Sequence, residues 1–415
     1  MVAPGVMSQE HVKTDSERSR PLSVFVFGAG PTGALLALGL ARLGCRVRLQ
    51  DPQSLHDLAS RSRAYAITHS SRRLLQRLGM WDALRSHLVP FRQLRLDDQA
   101  VDPFVWFRAQ DLAPANREAD AIGWILDHKP LMHLLLQRLQ QHGCVDLQLG
   151  VQIPPADLGA GQQADLTIAA DGPRSFHRQA WGFPFWSFPY RQGCLTLKVN
   201  LRGAPADTAY ECFRTEGPFA VLPLGGTSYQ LVWSAPLDLC RQRAALEPAA
   251  LLDLLASVLP AGLSPDALLD QPFAVPLQLS LAPTLARGQR LLVGEAGHRC
   301  HPVGGQGLNL CWRDVADLLH QMERFQAGSG NGRGRSLSRL ARRYSRTRLL
   351  DLILISAGTD LLLRLFSNRF WPLLPVRALG LTMMKRMPLL RRLALQAMSD
   401  GPMTFVSAPP EWKQR

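Results

Sequence analysis

Residues 23–51 constrain this chain more than any other stretch. A short β-rich apolar run, SVFVF (23–27), stops directly at Gly28-Ala29-Gly30-Pro31-Thr32-Gly33. ALLALGLARLG follows with apolar residues at helical spacing, and Gly44 is placed to cap that helix. A second β-like stretch, RVRLQ, then leads to Asp51. Strand, glycine turn, helix, strand and acid, in that order, make the βαβ unit that binds dinucleotides. Small residues let the backbone approach a pyrophosphate, and the first helical turn offers free N–H groups and the positive end of its dipole. An acid roughly twenty residues on can accept the ribose hydroxyls of the adenosine half. A bare GxGxxG also occurs as a tight turn in unrelated α/β proteins; here the surrounding elements argue for the nucleotide. The motif alone leaves FAD and NAD both open.

Around that unit the chain alternates. SRRLLQRLGMWDAL (71–84) and KPLMHLLLQRLQQHG (129–143) have helical periodicity, and ADLTIAA ends as a buried strand at Ala170. From 182 to 281 the character changes to short runs bounded by Gly and Pro, such as CLTLKVNL, FAVLPL and YQLVW, which predict an antiparallel sheet. QRLLVG (289–294) returns to the buried parallel type. The expected organisation is a mobile tail over 1–20, a nucleotide-binding domain built from 21–181 and 282–330, an inserted sheet domain over 182–281, and a basic helical region over 331–415. An apolar content of 46% against 19% charged residues excludes wholesale disorder. The seven cysteines are scattered without a C-x-x-C pair, which argues against a disulfide framework or structural zinc and reads as a reducing compartment. No stretch offers the ~20 uninterrupted apolar residues of a bilayer span. The expected location is cytoplasmic, with room for peripheral membrane contact.

Two further motifs carry chemistry. ADLTIAADGPRSFHR (164–178) ends a strand in Asp171-Gly172; taken alone it reads as an ordinary strand-to-turn junction. GEAGHRCHPVGGQGLNLCWRDVADLL, from Gly294, repeats the logic of a nucleotide loop: strand end, acid, glycine-rich turn, and a helix starting near Gly307. Leu308, Cys311, Val315 and Leu318 mark that helix's apolar face. Glu295 is placed to take ribityl or phosphate-side hydroxyls. The N–H groups of Gly307 and Leu308 suit a ligand atom that gains negative charge, such as the N1–C2=O edge of a reduced flavin. His298 and His301 lack partners at metal-ligand spacing, so no metal site is assigned.

Together these residues resemble the class A flavoprotein monooxygenases, and within them the hydroxylases of ubiquinone biosynthesis. That family reads GxGxxG near the N-terminus, D-G in mid-chain, and GDAAHxxxPxxGQGxN late; Gly294, Ala296, His298, Pro302, Gly305, Gln306, Gly307 and Asn309 fit the last. RSRAYAITHSSRRLLQRLGMW is similar to a family segment and places Arg63 where an arginine contacts the flavin nucleotide. The resemblance runs from about residue 22 to 400 and implies an α/β, Rossmann-like FAD-binding domain of the para-hydroxybenzoate-hydroxylase type, an inserted antiparallel substrate domain and a helical C-terminal region. It implies FAD as cofactor and NAD(P)H as co-substrate, with O2 adding at the flavin C4a atom and the hydroperoxide hydroxylating an electron-rich ring, here a prenylated phenol or quinol. The flavin carries that chemistry, so no catalytic side chain is assigned. Two departures stand out: Glu295 where the family has Asp, and Gly297 in place of alanine. A small-aromatic hydroxylase, an epoxidase, a prenyl reductase, or a non-catalytic FAD- or lipid-binding subunit are the competing readings.

Net charge is +14, and it is unevenly placed. Residues 331–392 hold fourteen Lys or Arg against two Asp. No nucleic-acid module accompanies them. Either this region is a helical layer with a solvated basic face, or it is a peripheral membrane surface where arginines meet anionic head groups and apolar residues enter the interface.

Overall fold

The computed structural model describes residues 20–101, 103–151, 164–327, 336–368 and 370–402. The expected N-terminal tail falls almost wholly on residues 1–19, and the start of the basic segment on 331–335; both lie outside the described residues.

The β-branched run at 23–27 forms the strand Ser23–Phe27, with Val24 and Val26 fully buried. It pairs in parallel with Arg46–Asp51 on one side and Leu166–Ala169 on the other. Arg290–Leu292 and Val145–Leu149 extend these pairs, and a short hairpin strand, Ala286–Arg287, completes a six-stranded sheet. The sheet thus joins residues from the start and the late part of the chain. Helix Pro31–Arg42 is buried along most of its length, as expected where a parallel sheet is covered on its faces. The periodic stretch 71–84 becomes two helices, His69–Arg77 and Trp81–Leu84, broken where Gly79 takes φ +58°.

A nine-stranded sheet forms the second lobe. Its spine is the long strand Trp186–Arg202, flanked by Ser228–Pro236 and Phe273–Leu281. Two of its strands, Gln93–Asp98 and Val105–Arg108, come from well before residue 182: Thr208–Phe213 pairs in parallel with Gln93–Asp98, Tyr210 opposite Arg95. One face packs Trp233, Tyr229 and Tyr210 against Leu251 and Leu255 of the helix Pro248–Ala256. The other face, with Ala209 and Phe213, packs against Val303 of the glycine-rich loop.

The helix Leu337–Phe366 runs across both lobes. Tyr344 Oη donates to the Leu292 carbonyl at 2.9 Å and Ser345 Oγ accepts from Leu285 N at 2.9 Å, which fastens its first half to the six-stranded sheet. At its far end Phe366 stacks on Phe213 with centroids 4.4 Å apart. Two more helices follow, Leu374–Arg386 and Pro388–Asp400, tied down by the buried Arg377–Asp98 pair (Nε to Oδ2 2.7 Å) and by Arg391 to Asp111 at 3.0 Å. The basic region is therefore, at least in part, a structural layer.

Candidate flavin site and its buried anchor

Three loops converge at the carboxyl ends of the parallel strands, the edge where open α/β sheets bind ligands. In the first, Gly28 has φ +100°, and a Cβ there would collide with the Ala170 carbonyl. At Gly33 a Cβ would collide with the Gly28 carbonyl, so both glycines are demanded by backbone approach. Gly30 is different: a Cβ there meets nothing within 4 Å, leaving open space above the turn. Pro31 opens the helix at its first position, where a missing N–H costs nothing, and Thr32 follows it half-exposed. Asp51 closes its strand with Oδ2 accepting from Ala29 N at 2.7 Å and Oδ1 from Gln53 N at 2.8 Å. Each oxygen keeps a lone pair for a further donor.

In the second loop, Asp171 Oδ2 accepts from His177 N at 3.2 Å and lies 2.9 Å from His177 Nδ1. Burial pushes the Asp171 carboxyl up, but hydrogen bonds from His177 and Ser175 outweigh it and hold the group below its ordinary range. Its other oxygen, Oδ1, is buried without a partner. Gly172, at φ +82°, faces open space. A buried, ionised oxygen with no donor among the described residues is costly.

The third loop carries Glu295, about a third exposed, with Oε1 3.9 Å from Arg299 Nε. Gly297 packs on Leu285, where an alanine methyl would press on that side chain. Pro302 precedes a turn in which Gly304 and Gly305 both take left-handed angles. Helix Gln306–Ala327 starts there, its first turn holding Gln306, Gly307 and Leu308. Gly307 faces open space, and Gln306 Oε1 is buried without a partner while its Nε2 donates to the Gly304 and Met398 carbonyls. Asn309 stands behind the site. Its Oδ1 accepts from Thr68 N, Thr68 Oγ1 and Ser71 Oγ, and its Nδ2 donates to the Ala66 and Gly305 carbonyls. This amide bolts the segment after Arg63 to the loop. Arg63 itself is exposed, its guanidinium over the Tyr65 ring at 5.3 Å.

The sequence reading missed the anchor beneath this loop. Asp314 is fully buried; Oδ2 accepts from Gly294 N at 2.8 Å and from His298 Nε2 at 2.6 Å, and Oδ1 from Arg348 Nε at 2.7 Å. Arg348 also reaches Asp351 at 2.7 Å, and Asp351 lies 3.4 Å from Arg313. Burial raises the Asp314 carboxyl, but the His298 and Arg348 charges prevail and bring it down to about 2. One signal was available: Asp314 follows Cys311 by three residues, so an acid stood on the helix's apolar stripe.

The open backbone over Gly30, Gly172 and Gly307, the orphaned oxygens of Asp171 and Gln306, and the ribose-ready Asp51 fit a flavin dinucleotide lying across the three loops. Residues 21–113 and 157–348 match the FAD binding domain family. Over 397 residues the chain is 32% identical to ubiquinone hydroxylase UbiL of Rhodospirillum rubrum, covering 90% of this chain and 88% of that one. It is 30% identical over 402 residues to 3-demethoxyubiquinol 3-hydroxylase of Escherichia coli, covering 91% and 98%. The fold superposes on p-nitrophenol 4-monooxygenase PnpA of Pseudomonas putida with a TM-score of 0.71 at 18% identity, over 93% of this chain and 98% of that one. The chain belongs to the FAD binding domain family, as an FAD-dependent monooxygenase of the class A, para-hydroxybenzoate-hydroxylase-like type related to the ubiquinone hydroxylases.

Proposed function

We propose that this monooxygenase hydroxylates the ring of a prenylated phenol or quinol in quinone biosynthesis, consuming NAD(P)H and O2, while peripheral to a membrane. The observation that carries the hydrophobic substrate is the outer surface of the C-terminal helices. Trp371 is 75% exposed, Leu361 65%, Leu379 61% and Leu350 56%. Isolated exposed apolar residues are ordinary, but a series of them along the helix Leu337–Phe366, the turn Trp371–Leu373 and the helix Leu374–Arg386 marks an interaction surface. Arg342, Arg343, Arg346, Arg364, Lys385 and Arg386 are exposed around them, a charge pattern suited to anionic head groups. Among the described residues no helix is long and apolar enough to cross a membrane, so the contact proposed is with its surface.

In this reading Gly28, Gly30, Pro31, Thr32, Gly33, Asp51 and Arg63 bind the adenosine and pyrophosphate half of FAD. Asp171, Gly172 and Glu295 face its ribityl and phosphate side, and Pro302, Gly305, Gln306, Gly307 and Leu308 border the ring, with Asn309 bracing them. Bound FAD supplies the oxygen-transferring chemistry; the chain binds the substrate ring beside it and keeps water out.

The first test is the visible spectrum of the purified protein, followed without oxygen as NADPH is added with and without a prenylphenol. A flavin spectrum that bleaches faster with the prenylphenol is expected. A protein that stays colourless after reconstitution with FAD, or that responds equally to small hydroxybenzoates, overturns the reading. Co-sedimentation with phosphatidylglycerol vesicles but not phosphatidylcholine vesicles, lost at high salt, is expected of the membrane contact.

A further inference from the structure

The strand Thr208–Phe213 alternates between two different environments. Tyr210 and Cys212 point into the core beneath the helix Pro248–Ala256. Ala209 and Phe213 point the other way, into the seam between the lobes. Glu211 shares that second face, opposite Ala220 on one neighbouring strand and Leu96 on the other. Leu96, Leu222, Phe213 and Val303 are among the apolar side chains that pack in this seam. Among the described residues, the backbone N–H of Gly304, in the glycine-rich loop that borders the proposed flavin ring, is a donor to its carboxyl. Glu211 is partly buried, and the glycine-rich loop lies against the same face of its strand through Val303.

Nothing structural accounts for an acid here. Among the described residues no ion pair to Glu211 is formed, and the charged groups on the elements packed against this face are engaged elsewhere. Arg377 and Asp98 pair with each other beyond Phe366 and Phe213. Arg95 and Asp97 pair on the opposite face. His301, at the start of the loop, accepts from Val303 N through Nδ1 and packs edge-on to Tyr190. An unpaired carboxyl in an apolar seam costs stability and persists where function uses it.

We propose that Glu211 is the substrate-facing base of this enzyme, accepting the hydrogen bond and then the proton of the ring hydroxyl. This rests on the hydroxylase reading above. The O–H bond of the phenol breaks, an O–H bond forms on the Glu211 carboxylate, and the electron pair stays on the ring oxygen, enriching the ring for attack on the oxygen that FAD, O2 and NAD(P)H supply. Burial raises the Glu211 carboxyl to about 7, with the Gly304 N–H opposing the rise. That value suits a group that must be ionised to accept a proton near neutral pH.

The test uses FAD-loaded protein with 2-farnesylphenol, its methyl ether, and unsubstituted phenol. Glu211→Gln keeps an acceptor for the Gly304 N–H, so a merely structural role predicts little change, and flavin content and melting temperature serve as controls. The expected result is a loss of about 100-fold in hydroxylation rate, disappearance of the acid limb near pH 7, partial rescue by Glu211→Asp, and no turnover of the methyl ether by wild type. A variant with wild-type rate and pH profile overturns the role of Glu211 and leaves the hydroxylase reading standing, as does wild-type turnover of the methyl ether. If unsubstituted phenol is used as well as 2-farnesylphenol and Glu211→Gln still slows it, the role stands and the prenylated substrate falls. Wild type that hydroxylates no phenol overturns both.

Discussion

Replacing Asp314 with asparagine changes one atom of the side chain and removes one charge from a fully buried position. The carboxylate takes three donors, from Gly294 N, His298 Nε2 and Arg348 Nε. An asparagine offers one acceptor oxygen and an NH2, so in either orientation an amide donor faces another donor. It also leaves the guanidinium groups of Arg313 and Arg348 sharing only Asp351. Removing one member of a buried charged set costs about 3–5 kcal/mol. With an unfolding entropy of roughly 2.1 cal/mol/K per residue over 415 residues, that lowers the melting temperature by about 3–6 °C. FAD should bind at least about tenfold more weakly, the equivalent of about 1.4 kcal/mol, because Gly294 and His298 flank Glu295. The effect must also depend on pH. Asp314 is held at about 2 in the folded chain, against about 3.9 when unfolded. A lowered carboxyl stabilises above its unfolded value and loses that contribution, about 2–3 kcal/mol, as pH falls from about 4 toward 2. Differential scanning fluorimetry of wild type and Asp314→Asn from pH 7 to pH 3 reads this directly. The gap should be widest at neutral pH and narrow on acidification. A neutral-pH gap under about 1 °C, or one that ignores pH, would refute the reasoning.

Two further outcomes follow from the same geometry. Asn309→Ala strands the donors of Thr68 and Ser71 and the carbonyls of Ala66 and Gly305; it should cost about 2–3 kcal/mol, seen as a lower urea midpoint with reduced flavin retention. Among the cysteines only Cys144 is exposed. Burial raises the thiols of Cys45, Cys194, Cys212, Cys240, Cys300 and Cys311, so a chromogenic disulfide at pH 8 should label one thiol rapidly and the rest only on unfolding.

What could be read in the sequence was what depends on local chemistry. Gly28 through Asp51 declares itself because turn, helix and acid follow one another in the chain, and the loop from Gly294 does so for the same reason. Pairing across long separations left no such mark. Gln93–Asp98 joins the second sheet beside Thr208–Phe213, and nothing in QLRLDD says which sheet it serves. Arg348 sits in a run of arginines that reads as solvated surface, yet it is buried against Asp314. Glu211 is one acid in an ordinary strand; only the loop folded against it makes its position unusual.

The six-stranded sheet sets a timetable for the growing polypeptide. Its first strands leave the ribosome early, but Leu291 and Asp314 come far later, and Arg348, which secures the loop, later still. At roughly 5–20 residues per second, the interval between Asp51 and Arg348 is about 15–60 seconds. Until the loop from Gly294 is made, the glycine turn at 28–33 has nothing facing it, and until Arg348 is made that loop is unsecured. Flavin capture is therefore a late event in synthesis, and a nascent chain stalled before Arg348 should emerge without its yellow cofactor.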